Sequence, residues 1–187
     1  YNSDANQTKA RATFRIGGEF ESKIKLSEGS SIRFNNADMD FKSIYAYYQD
    51  ELTGLTDTGT FVFKDLDGNS FTNTATMYTV EFPDTVDDLV KGATYEIVWN
   101  GPALKDKETI KLTIDGPLES DDKHFEVSAT GATSLTLSST ETSNLNAGAN
   151  ILELERIYES YDVNAPSVGG KIKTTYKAIN HAINVTE

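Results

Sequence analysis

An all-β, antiparallel sandwich is the fold that the sequence predicts, and three observations predict it. Short apolar alternations with a period of two recur every 10–15 residues or so from Thr13 onward, and Gly, Asn, Asp and Ser clusters separate them. The 187 residues are 37% hydrophobic and 25% charged, a globular composition with no apolar run approaching the roughly 18 residues of a membrane-crossing helix. Cysteine is absent, so packing without disulfides or thiolate metal sites must hold the strands.

The elements follow in order. Residues 1–11 are polar and read as a lead-in, with neither the basic start nor the apolar stretch of a secretory leader; a mature or trimmed chain is the expectation. Phe14 and Ile16 share a face. Ile24 with Leu26 and Ile32 with Phe34 read as a hairpin across Ser27–Ser31, where Gly29 supplies a permissive backbone. Ile44, Ala46 and Tyr48 alternate with Tyr45 and Tyr47. Phe61 and Phe63 run into Asp65-Leu66-Asp67-Gly68-Asn69, a run of turn formers, with Tyr78, Val80 and Phe82 as the expected returning strand. Tyr95, Ile97 and Trp99 share a strand face, which assigns Trp99 to the core. Ile110-Leu112-Ile114, Phe125-Val127-Ala129, Leu135-Leu137, Leu152-Leu154 and Ile172-Thr174-Tyr176-Ala178 complete the set. Only Asp84–Lys91 has room for a helical turn, and Ile151–Tyr158 is read as strand.

Gly, Pro and acids interrupt the pattern near Gly116–Asp122, dividing the chain into residues 12–117 and a smaller piece, 118–187, which either forms a second sandwich or completes the first. Two packed sub-domains are expected. Seventeen Lys and Arg against 29 Asp and Glu give a net charge of −12. The acidity is spread, with 12 basic against 19 acidic residues in 1–117 and 5 against 10 in 118–187. A field of that sign repels nucleic-acid phosphate and anionic lipid, so neither nucleic-acid binding nor direct membrane insertion is expected.

Leu89-Val90-Lys91-Gly92-Ala93-Thr94-Tyr95-Glu96-Ile97-Val98-Trp99 resembles the crossover before the penultimate strand of immunoglobulin-like and fibronectin type III-like domains. In it Leu89 plugs the core, Gly92 permits a tight reversal, and the Tyr95 hydroxyl is placed to bond back to the corner. Leu145–Leu154 resembles the same device, without a corner tyrosine and one position out of step. The resemblance implies an immunoglobulin-like sandwich of the cysteine-free kind found in bacterial cell-surface proteins; it implies no activity.

Function must come from sites. Asp65–Asn69 has the carboxylates of a calcium loop, but its sixth position is Ser70 and its twelfth Thr76 where the EF-hand needs Gly and Glu, so it reads as a turn. The pairs Asp38/Asp40, Asp87/Asp88 and Asp121/Asp122 read as solvated loops. No metal and no cofactor is assigned. His124 falls in an expected linker and His181 in the C-terminal segment, neither beside a nucleophile motif, and Gly68-Asn69-Ser70-Phe71-Thr72 lacks the second Gly of a nucleophile elbow. No catalytic residue is assigned. Tyr45 and Tyr47, on the face opposite Tyr48, are the candidate ligand-binding residues, because exposed aromatic rings offer contact area at low entropic cost. Lys171, Lys173 and Lys177 oppose Ile172, Tyr176 and Ala178 and either guard a sheet edge or accompany a strand that docks into a neighbour. The expectation is a non-enzymatic, extracytoplasmic adhesion or protein-binding module, a secreted or lipoprotein component at a cell surface or outer membrane. Its partner would be another protein or a surface glycan, with self-association open. A carbohydrate-binding module and a fimbrial subunit assembling by strand exchange are the alternatives.

Overall fold

The structure is a computed structural model that describes residues 1–118, 121–167 and 169–187. It is all-β with antiparallel sheets and forms two compact units, one built mainly from residues 6–77 with 159–174, the other from residues 2–5, 78–158 and 175–187. The boundary expected at 117/118 falls inside the second unit. Glu119 and Ser120 of the acidic break lie outside the described residues.

In the first unit the strands are β1 (Gln7–Ala12), β2 (Phe14–Arg15), β3 (Lys23–Ile24), β4 (Ser31–Phe34), β5 (Ala37–Asp38), β6 (Asp40–Lys42), β7 (Tyr47–Thr53), β8 (Thr58–Lys64) and β9 (Ser70–Thr76). They pair as β1-β7-β6, β2-β3 and β5-β4-β8-β9. Ala10, Ile32, Phe34, Met39 and Tyr48 form the buried centre, with Phe14, Phe41, Phe61 and Phe63 half-buried against it.

Several expectations change here. The second half of the polar lead-in is strand β1, whose Thr8 and Ala10 are buried. Its inward face is made of small and hydroxyl-bearing residues, so no apolar rhythm shows; the Thr8 hydroxyl is satisfied by donating to the Gly54 carbonyl at 2.7 Å and accepting from the Thr56 amide at 2.9 Å. The Ser27–Ser31 turn exists, with the Ser30 amide donating to the Ser27 carbonyl and Gly29 at φ +96°, but it joins no hairpin. Ile24 pairs with Phe14, and Ile32 and Phe34 pair with Phe63 and Phe61. Ile16, read as sharing a face with Phe14, is exposed while Phe14 is partly buried, and Ile44 and Ala46 lie in a turn, not a strand. The Asp65–Asn69 turn does close a hairpin, and the returning strand is Ser70–Thr76 in place of Tyr78–Phe82. Threonine and asparagine serve on a strand with one solvated face as well as apolar residues do.

The second unit contains β10 (Leu89–Val90), β11 (Tyr95–Val98), β12 (Glu108–Asp115), β13 (Lys123–Val127), β14 (Ser134–Leu137), the helix α1 (Ser139–Ser143), β15 (Gly148–Ser160), β16 (Ile172–Lys177) and β17 (His181–Thr186), the ends of β15 and β16 passing into the first unit. The main sheet runs β10-β17-β15-β12-β13 with β16 also on β15; β11 pairs β14. β10 and β17 pair in parallel. Ile110, Leu112, Leu152 and Leu89 are fully buried, and Trp99 is in the core as its alternation requires.

The corner at Leu89–Tyr95 has definite geometry. Gly92 sits at φ +77°, and the Tyr95 hydroxyl donates to the Asp87 carbonyl at 2.9 Å. Burial and the nearby Asp87 and Asp88 carboxylates push the Tyr95 phenol up to about 12, so it stays a donor. Asp84–Lys91 contains no helix. The helix lies at Ser139–Ser143, where Ser138 and Glu141 form a capping box that bonds both ends of the first turn. The C-terminal β17 is flanked on both sides within its own chain. Lys171 is ion-paired with Glu19 at 2.5 Å, and Lys177 with Glu153 at 2.5 Å. His124 is on β13, not in a linker, with its Nδ1 3.0 Å from the Thr113 hydroxyl.

Candidate functional site

Tyr45 and Tyr47 are brought together by a turn. Lys42 pairs with Tyr47 across β6 and β7, leaving Ser43-Ile44-Tyr45-Ala46 to reverse the chain. The Tyr45 amide donates to the Lys42 carbonyl at 3.2 Å, and Ala46 takes a left-handed φ of +50°. A non-glycine residue there costs about 1 kcal/mol, so the surrounding bonds must hold it. The result is a parallel stack, with ring centroids 5.5 Å apart and planes 9° from parallel. Tyr47 is half-buried and backs the stack, while Tyr45 is 60% exposed and Ile44 beside it 88% exposed. Tyr48, one residue on, is buried and accepts a 3.0 Å bond from the Leu26 amide, as its phase predicts.

Cations flank the rings. The Arg11 guanidinium carbon lies 5.0 Å from the Tyr47 centroid and the Lys23 ammonium 6.0 Å from it. Arg11 is aimed by Gln49, whose Oε1 accepts from its Nε at 2.6 Å, and Lys23 donates to the Tyr45 carbonyl at 3.2 Å. Lys23 belongs to the β2–β3 hairpin, whose loop carries Phe20 at 95% and Ile16 at 64% exposure. Glu19 in that loop is anchored by Lys171, whose hydrogen bond holds the Glu19 carboxyl below the usual carboxylate range. Two adjacent loops thus present apolar and aromatic groups beside two positive charges on an acidic chain. Such a surface can bind by contact, stacking and charge.

The other candidates are occupied otherwise. Both Asp65 carboxylate oxygens are taken by Asn69, at 2.8 Å from its amide nitrogen and 2.9 Å from its side chain, which holds the Asp65 carboxyl below its usual range. Asp38 pairs with Arg33 and Asp40 with Lys42. His181 lies with its ring 5.8 Å from that of Phe82.

A feature missed by sequence reasoning is the buried pair of Glu108 and Arg156, 3% and 2% exposed. The Arg156 guanidinium donates to Glu108, to the Pro102 carbonyl at 2.7 Å and to the Ala103 carbonyl at 3.1 Å; Glu108 also accepts the Lys105 amide at 2.7 Å. The signal was phase: Arg156 follows Leu152 and Leu154 at intervals of two, and Glu108 precedes Ile110 and Leu112 in the same way. Charges at inward positions require partners. Ile44 and Phe20 were also missed, because exposure in a turn leaves no periodic trace, and Arg11 was missed with the rest of β1. No protein-family model matches the chain, and no curated protein matches it.

Proposed function

We propose that this chain is a non-enzymatic, extracytoplasmic binding module of a cell surface, with an immunoglobulin-like sandwich as scaffold, and that it engages another protein through the turn joining β6 and β7. The observation that carries the reading is Ile44 and Tyr45, exposed side by side on a turn fixed by the Lys42 and Lys23 bonds. Large apolar groups held rigidly in water lose little entropy on contact and are the usual energetic centre of a protein interface. The aliphatic Ile44 favours a protein over a sugar as partner. The Leu89–Tyr95 corner, with its hydroxyl bond to Asp87, supports the immunoglobulin-like scaffold. Engagement of His124 by Thr113 and of Asp65 by Asn69 supports a non-catalytic role.

Labelled protein applied to arrays of cell-surface proteins tests the reading. Binding should fall about tenfold or more in Ile44→Asp and Tyr45→Ala, with folding checked by circular dichroism. Undiminished binding in both variants overturns the site. The Tyr45–Tyr47 stack supports a second reading, carbohydrate binding, since a sugar ring can lie on the exposed Tyr45 face. Polysaccharide binding lost in Tyr45→Ala and retained in Ile44→Asp would select it.

A further inference from the structure

Strand β9 is an edge of the four-stranded sheet of the first unit. In the β8–β9 ladder the Met77 amide donates to the Asp57 carbonyl and the Asp65 amide to the Asn69 carbonyl. Antiparallel ladders alternate, so Phe71, Asn73 and Ala75 bond inward to Phe63, Phe61 and Gly59. The amide and carbonyl of Ser70, Thr72 and Thr74 therefore face outward. No described strand lies beyond β9. Segments that approach it do so through side chains: the Asn73 amide group holds both the Asn164 N–H and C=O at 2.8 Å, and the Thr174 hydroxyl donates to the Thr76 carbonyl at 3.3 Å.

Of the other described edges, only β14 (four residues) and β10 (two) are also free of charge, and both are shorter than β9. β13 has Lys123 and Glu126, β6 has Asp40 and Lys42, β1 has Lys9 and Arg11, and β5 has Asp38. β9, Ser70-Phe71-Thr72-Asn73-Thr74-Ala75-Thr76, has none over seven residues, and no proline or lysine blunts it. We infer that β9 is a self-association edge, pairing antiparallel with β9 of a second copy about a two-fold axis at Thr72.

The sequence fits a second copy as occupant. An axis at Thr72 sets Thr72 opposite Thr72 of the second copy and Ser70 opposite Thr74, hydroxyl pairs that are favourable across strands. It also brings no two like charges face to face, which matters for molecules of charge −12 that repel each other everywhere else. The contact is isologous and closes as a dimer. A seven-residue strand spans only about 23 Å, so the interface is small and the dimer weak, forming toward roughly millimolar concentration. Because the general charge opposes association, added salt strengthens it.

Sedimentation equilibrium of the intact chain, from about 10 µM to 1 mM at low and high salt, tests this. The expected result is a concentration-dependent dimer, several-fold stronger at high salt. Thr72→Lys should abolish it by placing like charges at the axis. Thr72→Pro should do the same and leave the fold intact, since the Thr72 amide makes no bond to β8. Thr136→Lys, the same charge change at the exposed position of β14, should not alter it. A monomer across the whole range overturns the inference, as does a dimer that survives Thr72→Lys or one that Thr136→Lys removes equally. Should Thr72→Pro fail to fold, Thr72→Lys alone decides.

Discussion

The first unit packs its core largely with aromatic rings, several of them only partly buried, whereas the second closes its core mainly with branched aliphatics that reach zero exposure. In the first, Phe14 meets Phe63 at 4.8 Å and Tyr48 edge-on at 6.0 Å, and even the most buried residues keep 4–8% of their surface. In the second, Leu89, Ile110, Leu112 and Leu152 keep none, and the seal is good enough to enclose an arginine and a glutamate. Rings tolerate partial burial because one edge can face water while the face packs. Aliphatic layers gain only by excluding water. Both units leave aliphatic side chains exposed, Leu118 and Ile179 in the second among them, but the large exposed aromatic rings, Phe20, Tyr45 and Tyr161, lie in the first.

The comparison breaks most severely at the buried pair. Arg156→Ala leaves Glu108 charged, enclosed and short of its partner, and frees the Pro102 and Ala103 carbonyls as well. The expected loss is about 3–5 kcal/mol, measured by urea unfolding, with amides of β12 and β15 losing hydrogen-exchange protection first. A loss under about 1 kcal/mol would show that the second unit is not sealed as described.

In the first unit the tightest spot is Gly59. A Cβ there would stand 2.1 Å from Phe34 Cζ, and the Phe34 ring, 4% exposed, has little room to yield. Gly59→Ala should cost about 1–3 kcal/mol by overpacking. If it is neutral, the aromatic core is looser than its rings suggest, which would sharpen the contrast. Tyr95→Phe comes next, removing the corner bond to the Asp87 carbonyl at a cost of about 1 kcal/mol; because the hydroxyl is half-exposed, water replaces part of what is lost.

The second unit was the more legible in the sequence, for the same physical reason. β12 buries Ile110, Leu112 and Ile114 at every second position, so its period was plain, as was the phase that puts Trp99 in the core; the β15 run was read as strand from its neighbours. β1 and β9 use Thr, Ala and Asn on their inward faces, a composition that also describes loops, and one became a lead-in and the other was displaced onto Tyr78–Phe82. The helix at Ser139–Ser143 is too short for a period; only the Ser138–Glu141 cap announces it. For the candidate site, the two tyrosines were readable as neighbours, but Ala46 at φ +50° turned a supposed strand into the reversal that stacks them and exposes Ile44.

The smallest expected effect distinguishes the units by sign. Asp115 on β12 is held above the usual carboxylate range, first by burial and then by the Glu153 and Asp122 carboxylates. Asp65 in the first unit is held below it, first by the Asn69 side chain. A raised carboxyl binds its proton more tightly folded than unfolded, so its contribution is favourable in acid and declines as pH rises past about 3.9 toward the raised value. A depressed carboxyl does the opposite: its contribution is present above the unfolded value and fades as pH falls through the folded one. Asp115→Asn should therefore stabilise at pH 7, by about 0.5 kcal/mol or less, and the gain should vanish near pH 3, where the native carboxyl is protonated. Asp65→Ala should destabilise at pH 7, and the difference should shrink in acid. Unfolding curves for the two variants across pH 3–7 should converge on the parent from opposite sides; parallel curves would mean that neither carboxyl feels the surroundings that set it apart.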